Sequence, residues 1–130
     1  MKLNVKKLDQ NALFPSYDSP RTESFTLFAL DDVTIHERSL KLIRTGLSIE
    51  IPEGYELEVR MRPILAIQTK LRIPDGMAIF DSSNNGKEVS FYFENTNKGF
   101  SEDFRVKRGQ KIAFARLRKV EKVEFNKIDL

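Results

Sequence analysis

The chain contains no cysteine and a single histidine, His36. The first absence excludes disulfide staples, thiolate zinc sites and cysteine nucleophiles. The second excludes every mechanism that needs two imidazoles. His36 follows a β-like Val33-Thr34-Ile35 run and has Glu37 beside it. With no second ligand at a recognisable spacing, it reads as a surface histidine. Long apolar runs are also missing, since none approaches the ~20 residues that cross a bilayer. The amino end, Met1-Lys2-Leu3-Asn4-Val5-Lys6-Lys7, lacks an apolar core followed by small residues. It does not read as a secretory signal, so a cytoplasmic protein is expected. Nor is charge concentrated. A net charge of +3 attracts polyanions mildly but falls short of the basic stripes of dedicated nucleic-acid binders, and neither a membrane nor a nucleic-acid partner is expected.

What is present suits one soluble globular domain spanning residues 1–130, with 40% hydrophobic and 32% charged residues. Apolar residues recur at every second position, as in Tyr55, Leu57, Val59 and Met61 or Val89, Phe91 and Phe93, with Glu56, Glu58, Ser90 and Glu94 between or beside them. That period belongs to half-buried strands. Further strands are expected over residues 3–7, 25–30, 40–43, 47–51, 77–80, 111–117 and 121–125. Turn signals separate them at Pro52-Glu53-Gly54, Pro74-Asp75-Gly76, Asn84-Asn85-Gly86 and Arg108-Gly109, where proline presets φ and glycine or asparagine accepts positive φ. Many short strands at this spacing predict an all-β sandwich or barrel. Only residues 63–71 suit a short helix, opened by Pro63 at a first helical position where its missing N–H costs nothing. Residues 14–24 read as one surface loop. The tail alternates Val123 and Phe125 against Lys122 and Glu124, so its apolar face is expected to bury itself on a neighbouring subunit.

The order of these elements resembles the trimeric dUTPase family, enzymes that split dUTP into dUMP and pyrophosphate. The resemblance runs from Asn4 to about Leu130. It rests on Thr45-Gly46-Leu47-Ser48-Ile49, on Asp81-Ser82 with Gly86, and on Lys107-Arg108-Gly109-Gln110-Lys111-Ile112-Ala113. It implies an all-β distorted jelly roll or β-barrel with at most one short helix, assembled as a homotrimer, with a nucleotide as a possible ligand. The family's third motif, G-x-I-D-x-D-Y-x-G, is matched by residues 78–86. Asp81 falls on its water-activating aspartate and Gly86 on its turn glycine. Asn84 replaces the tyrosine that packs on deoxyribose, and Ser83 the preceding aspartate.

Other positions depart from the family pattern. Thr26 stands where the first motif has a carboxylate that helps organise hydrated magnesium. In the second motif Arg62 is kept, while Pro63, with neither hydroxyl nor amide donor, replaces a phosphate-binding serine. Phe114 replaces the phosphate-contacting glutamine of the fourth motif. A glycine-rich fifth motif is not found before Leu130. Asp75 takes the place of the asparagine that reads uracil, and a carboxylate only accepts hydrogen bonds.

The candidate site is therefore Asp81 as general base, with Arg62, Asp75, Asn84 and Gly86 as substrate-binding residues and no protein metal ligand. Each has a plain reading beside this one. Asp81 also suits a turn cap and Pro74-Asp75-Gly76 an ordinary β-turn, while Arg60, Arg62 and Arg116 suit a solvated strand. The cluster Arg116, Arg118, Lys119 and Lys122 alternates with Glu121 and Glu124 and reads as a solvated face rather than a nucleic-acid contact. From the changes at Thr26, Pro63, Asn84 and Phe114 the resemblance implies a nucleotide- or partner-binding trimer with little or no dUTP hydrolysis. The alternative is an active pyrophosphatase with a site built differently, needing Mg2+ only in that case. A nucleic-acid-binding module is the third and least favoured reading.

Overall fold

The computed structural model describes residues 1–97 and 103–130. Among the described residues, the alternating segments form strands β1 (Asn4–Lys7), β2 (Phe25–Phe28), β3 (Val33–Ile35), β4 (Leu40–Arg44), β5 (Leu47–Glu50), β6 (Tyr55–Met61), β7 (Leu71–Arg72), β8 (Met77–Asp81), β9 (Ser90–Asn95), β10 (Phe104–Val106) and β11 (Lys111–Lys119). All the pairings are antiparallel. They make four small sheets, of which the largest runs β2-β11-β6-β8, flanked by β4-β9-β7, β1-β5 and β10-β3. The period-two pattern decides which face goes in. Leu57 and Val59 of β6 and Ala113 and Ala115 of β11 are buried in the core with Leu27, Ile35, Ile43, Phe91, Phe93 and Ile112, and hydrophobic burial of this face holds the sheets together.

Helix α1 covers Pro63–Gln68 and ends sooner than the expected residue 71. The reason is polar. The Thr69 hydroxyl donates to the Leu65 carbonyl at 2.7 Å and accepts from the Leu71 amide at 3.0 Å, while Arg72 donates to the carbonyls of Ala66, Thr69 and Leu71. Carbonyls left without helical partners are thus satisfied by side chains. Short strands β3, β7 and β10 join the sheets by only two or three residues each. Buried Asn95 ties β9 to β3 by donating from Nδ2 to the Ile35 carbonyl at 3.0 Å.

The tail differs from expectation within the chain. No strand forms over residues 121–125, and Val123, Phe125 and Ile128 stand 65%, 81% and 86% exposed. After the Val120 amide bonds to the Gly54 carbonyl, the segment has no strand of its own chain to pair with, so its alternating pattern finds neither ladder nor core. None of the described helices is long and apolar enough to cross a membrane.

Candidate active site

Asp81 closes β8 and opens the turn that carries Asn84 and Gly86. Its Oδ1 accepts from the Ser83 amide at 2.9 Å and from the Ser83 hydroxyl at 2.5 Å. The Asn84 side-chain oxygen in return accepts from the Asp81 amide at 2.9 Å, a reciprocal cap on a single 3-10 turn. Asn85 stitches this turn to the end of β5, accepting from the Ile51 amide at 2.8 Å and donating to the Ile51 carbonyl at 3.0 Å. Gly86 then takes φ +85°, where a side chain would be strained. The turn-cap reading of Asp81 is therefore correct for Oδ1. Oδ2 has no protein partner among the described residues and the residue is exposed, which leaves one carboxylate oxygen to hold a water. The Ser83 hydroxyl and amide hold the Asp81 carboxyl below the usual carboxylate range, with Lys122 adding to the effect. Asp81 is consequently ionised at neutral pH, the state in which its free oxygen can accept a hydrogen bond from a water and take its proton.

A second constellation forms where β2, β11 and the end of β6 meet. Backbone bonds between Ser16 and Thr26 fold the loop before β2 back over that strand, and this brings Asp18 against Thr26. The Thr26 hydroxyl donates to Asp18 Oδ1 at 2.9 Å, Lys111 Nζ donates to the same oxygen at 3.2 Å, and Arg62 Nη1 donates to Asp18 Oδ2 at 3.0 Å and to the Thr26 hydroxyl at 2.9 Å. The Arg62 guanidinium lies over the Phe114 ring, 4.5 Å from its centroid, a cation–π contact. The Thr26 hydroxyl first, then Arg62 and Lys111, hold the Asp18 carboxyl below its ordinary range.

Arg62 spends only Nη1 on these bonds. Its side chain is 14% exposed, yet no buried side-chain nitrogen or oxygen among the described residues lacks a partner. Nε and Nη2 have no hydrogen-bond partner among the described residues and neither is wholly buried, so their three N–H groups are left unengaged by protein on the edge whose geometry matches a phosphate bidentately.

The remaining sequence candidates are placed elsewhere. Asp75, at φ +63°, is exposed in the turn before β8, with the whole of that strand between it and Asp81. Arg60 and Arg116 are engaged with Glu58, a carboxylate only 1% exposed that also accepts from Arg118 Nη1 at 2.9 Å. They are tied to Glu58 through Nε and so are not merely solvated. His36 pairs with Asp103 at 3.0 Å on the surface. Sequence reasoning missed Asp18 and Lys111, whose partners lie 8, 44 and 93 positions away. No periodicity or spacing signals such contacts.

The Glu58 cluster sets an acid limit on the fold. Hydrogen bonds from Arg118 and Arg60 hold its carboxyl below the usual range, so its stabilisation is present above that range and lost as pH falls through the lowered value. We expect Glu58→Gln to melt below the wild type at pH 7, with the difference shrinking as pH falls through the usual carboxylate range and on through the lowered value of Glu58. Melting curves across that range check it, and a difference constant with pH would be the contrary result.

A four-sheet jelly roll with one short helix is the dUTPase-like class of fold. A dUTPase of Staphylococcus bacteriophage 80alpha superposes at TM-score 0.87 with 20% identity, covering 99% of this chain and 97% of that one. A variant of the phage phi11 dUTPase of S. aureus, whose structure describes a structural Mg(II) ion, superposes at 0.90 with 18% identity, covering 100% and 98%. The chain belongs to the dUTPase family, whose sequence profile matches residues 10–129. Relatives named deoxyuridine 5'-triphosphate nucleotidohydrolase include that of Helicobacter hepaticus, 33% identical over 98% of this chain and 78% of the relative. Another, from Nautilia profundicola, is 33% identical over 99% and 88%.

The family implies magnesium, and the residues of a single chain do not fit an ion held by protein ligands alone. Among the described residues of one chain no three carboxylates or imidazoles converge, and the Asp18 carboxylate already accepts from Thr26, Arg62 and Lys111. Magnesium keeps its waters and binds through phosphates, so it would enter as part of a magnesium–nucleotide substrate.

Proposed function

We propose that this protein binds a deoxynucleoside triphosphate, dUTP first among them, and adds water across the α–β phosphoanhydride to release the monophosphate and pyrophosphate. The observation that carries this reading is the open edge of Arg62, held by Asp18 beside Lys111 and above Phe114. It gives phosphate two cationic side chains despite the changes at Thr26, Pro63 and Phe114. Asp81, with Oδ2 free, supplies the oriented water. The relatives' names point to the same reaction.

The site is shared between copies. Asp81 is paired with Glu56 across β6, and Arg62 lies six residues beyond Glu56, about 20 Å of extended strand. The atom under attack and the phosphates joined to it are only a few bonds apart, so one substrate cannot engage both residues of one chain. A closed homotrimer, in which the carboxylate turn of one copy faces the Arg62 edge of the next, solves this. It also gives the exposed Val123, Phe125 and Ile128 a neighbour to cover them. Sedimentation at micromolar concentration is expected to give a trimer, and a monomer alone would count against the shared site.

A second reading is a trimer that binds nucleotide without turnover. It is favoured by Asn84, whose amide oxygen is committed to the Asp81 amide and which offers no aromatic face to the sugar. A panel of nucleoside triphosphates assayed for pyrophosphate in magnesium separates the two. The first reading predicts release from dUTP, with UTP hydrolysed within about tenfold of it, since without the aromatic wall the added 2'-hydroxyl is rejected only weakly. A thermal shift with nucleotide and no release from any of them would leave the second.

A further inference from the structure

Asp18 stands in a loop, outside every family motif, yet it is the hub on which Thr26, Arg62 and Lys111 converge. Two consequences of a carboxylate there oppose each other. Its negative charge lowers the local field that attracts phosphate. Its hydrogen bonds fix a guanidinium that would otherwise choose among many rotamers, a freedom that binding must remove. Which effect wins depends on geometry. Arg62 gives Asp18 and Thr26 a single nitrogen, Nη1, and the Phe114 ring fixes the plane of the group at 4.5 Å. One edge and one face are thus occupied, so the guanidinium has a single orientation and its Nε and Nη2 edge a single direction. Charge repulsion, by contrast, is softened because two cations already share the carboxylate.

Resting on the phosphate-binding reading above, we propose that Asp18 is a positioning residue. It lies against Thr26 and clamps Arg62 so that its free edge meets the phosphates of the nucleotide. The neighbouring loop keeps Asp18 in place. The Ser16–Thr26 bonds anchor it on one side, and the Thr22 hydroxyl donating to the Ser19 carbonyl at 2.9 Å closes the turn on the other.

The two effects predict opposite signs for Asp18→Asn, which keeps the side chain's size and removes its charge. Titration calorimetry with inorganic pyrophosphate, and with a non-hydrolysable imido analogue of dUTP, measures which holds. Positioning predicts affinity reduced by about tenfold or more, the scale of a lost charge-assisted bond. It also predicts no further loss when Asp18→Asn is added to Arg62→Ala, because the effect passes through Arg62. A merely structural role would lower affinity equally in both backgrounds, and a merely electrostatic one would tighten binding. Either result overturns the proposal. Asp18→Glu, which keeps the charge, is expected to recover part of the affinity, and melting curves identify any variant that fails to fold. Wild-type protein that binds neither probe would overturn the phosphate reading of the site and this inference with it. Wild-type binding left unchanged by Asp18→Asn would overturn the inference alone.

Discussion

Asp81→Asn is expected to lower pyrophosphate release by about 10²–10⁴-fold, the usual contribution of a group that handles the proton of an attacking water, while leaving the melting temperature nearly unchanged. The separation of the two effects follows from the division of labour between the two carboxylate oxygens. Asparagine retains an Oδ1 that accepts from the Ser83 amide and hydroxyl, so the cap on the turn survives. What it loses is the charge at Oδ2, the oxygen proposed to hold the water. Asp81→Ala removes both functions and should lose stability as well as turnover. Because Ser83 keeps Asp81 ionised, wild-type activity is expected to be level through neutral pH on the carboxylate's account and to fall only below the usual carboxylate range. Pyrophosphate release measured across pH for the wild type and both variants tests this. Turnover unaffected by Asp81→Asn would reduce Asp81 to a turn cap.

Gly46→Ala is expected to destabilise the fold by about 2–4 kcal/mol, from a left-handed backbone forced on an L residue and from overpacking. Gly46 has φ +70°, and a Cβ built there would stand 2.9 Å from Ala12 Cβ and 3.0 Å from Leu30 Cδ1. Those two residues and Leu47 form a small buried cluster of their own, so no flexible side chain is available to move aside. The same stretch is fixed by hydrogen bonds. The Gly46 carbonyl accepts from the Leu8 amide at 2.8 Å, and the Thr45 hydroxyl donates to the Val89 carbonyl at 2.6 Å. Urea unfolding should show a lower midpoint with the slope retained. A variant as stable as the wild type would mean that the cluster relaxes, contrary to the close packing of protein interiors.

Strand positions were readable wherever one face is wet and the other dry. Over β6, the alternation of Leu57 and Val59 with Glu56 and Glu58 gave both the element and its buried side, and the observed Tyr55–Met61 matches it. The same pattern misled at residues 121–125. Alternation records that a face wants cover, not whether the cover lies in the same chain, and no strand among the described residues pairs with the tail. Strands β7 and β10 went unnoticed because two or three residues carry too little period to register. Glu58 reads from sequence as an outward carboxylate on a solvated face. In the fold Arg60, Arg116 and Arg118 close over it until it is buried.

By itself the sequence determined the all-β class, the turns at glycine and asparagine, the single short helix begun by Pro63, and the family resemblance that singled out Asp81 and Arg62. These are local properties, set by side-chain period and by which residues tolerate positive φ, and they can be read within a few neighbouring positions. The tertiary structure alone decided that Asp18 lies against Thr26 and Arg62, that Lys111 joins it, and that Phe114 becomes a platform for Arg62. It also decided that Asp81 and Arg62 stand at opposite ends of β6. Each of these depends on residues brought together across tens of positions by antiparallel register and by a loop folding back on a strand. The energy of such contacts is set by distance in space, which separation along the chain does not encode.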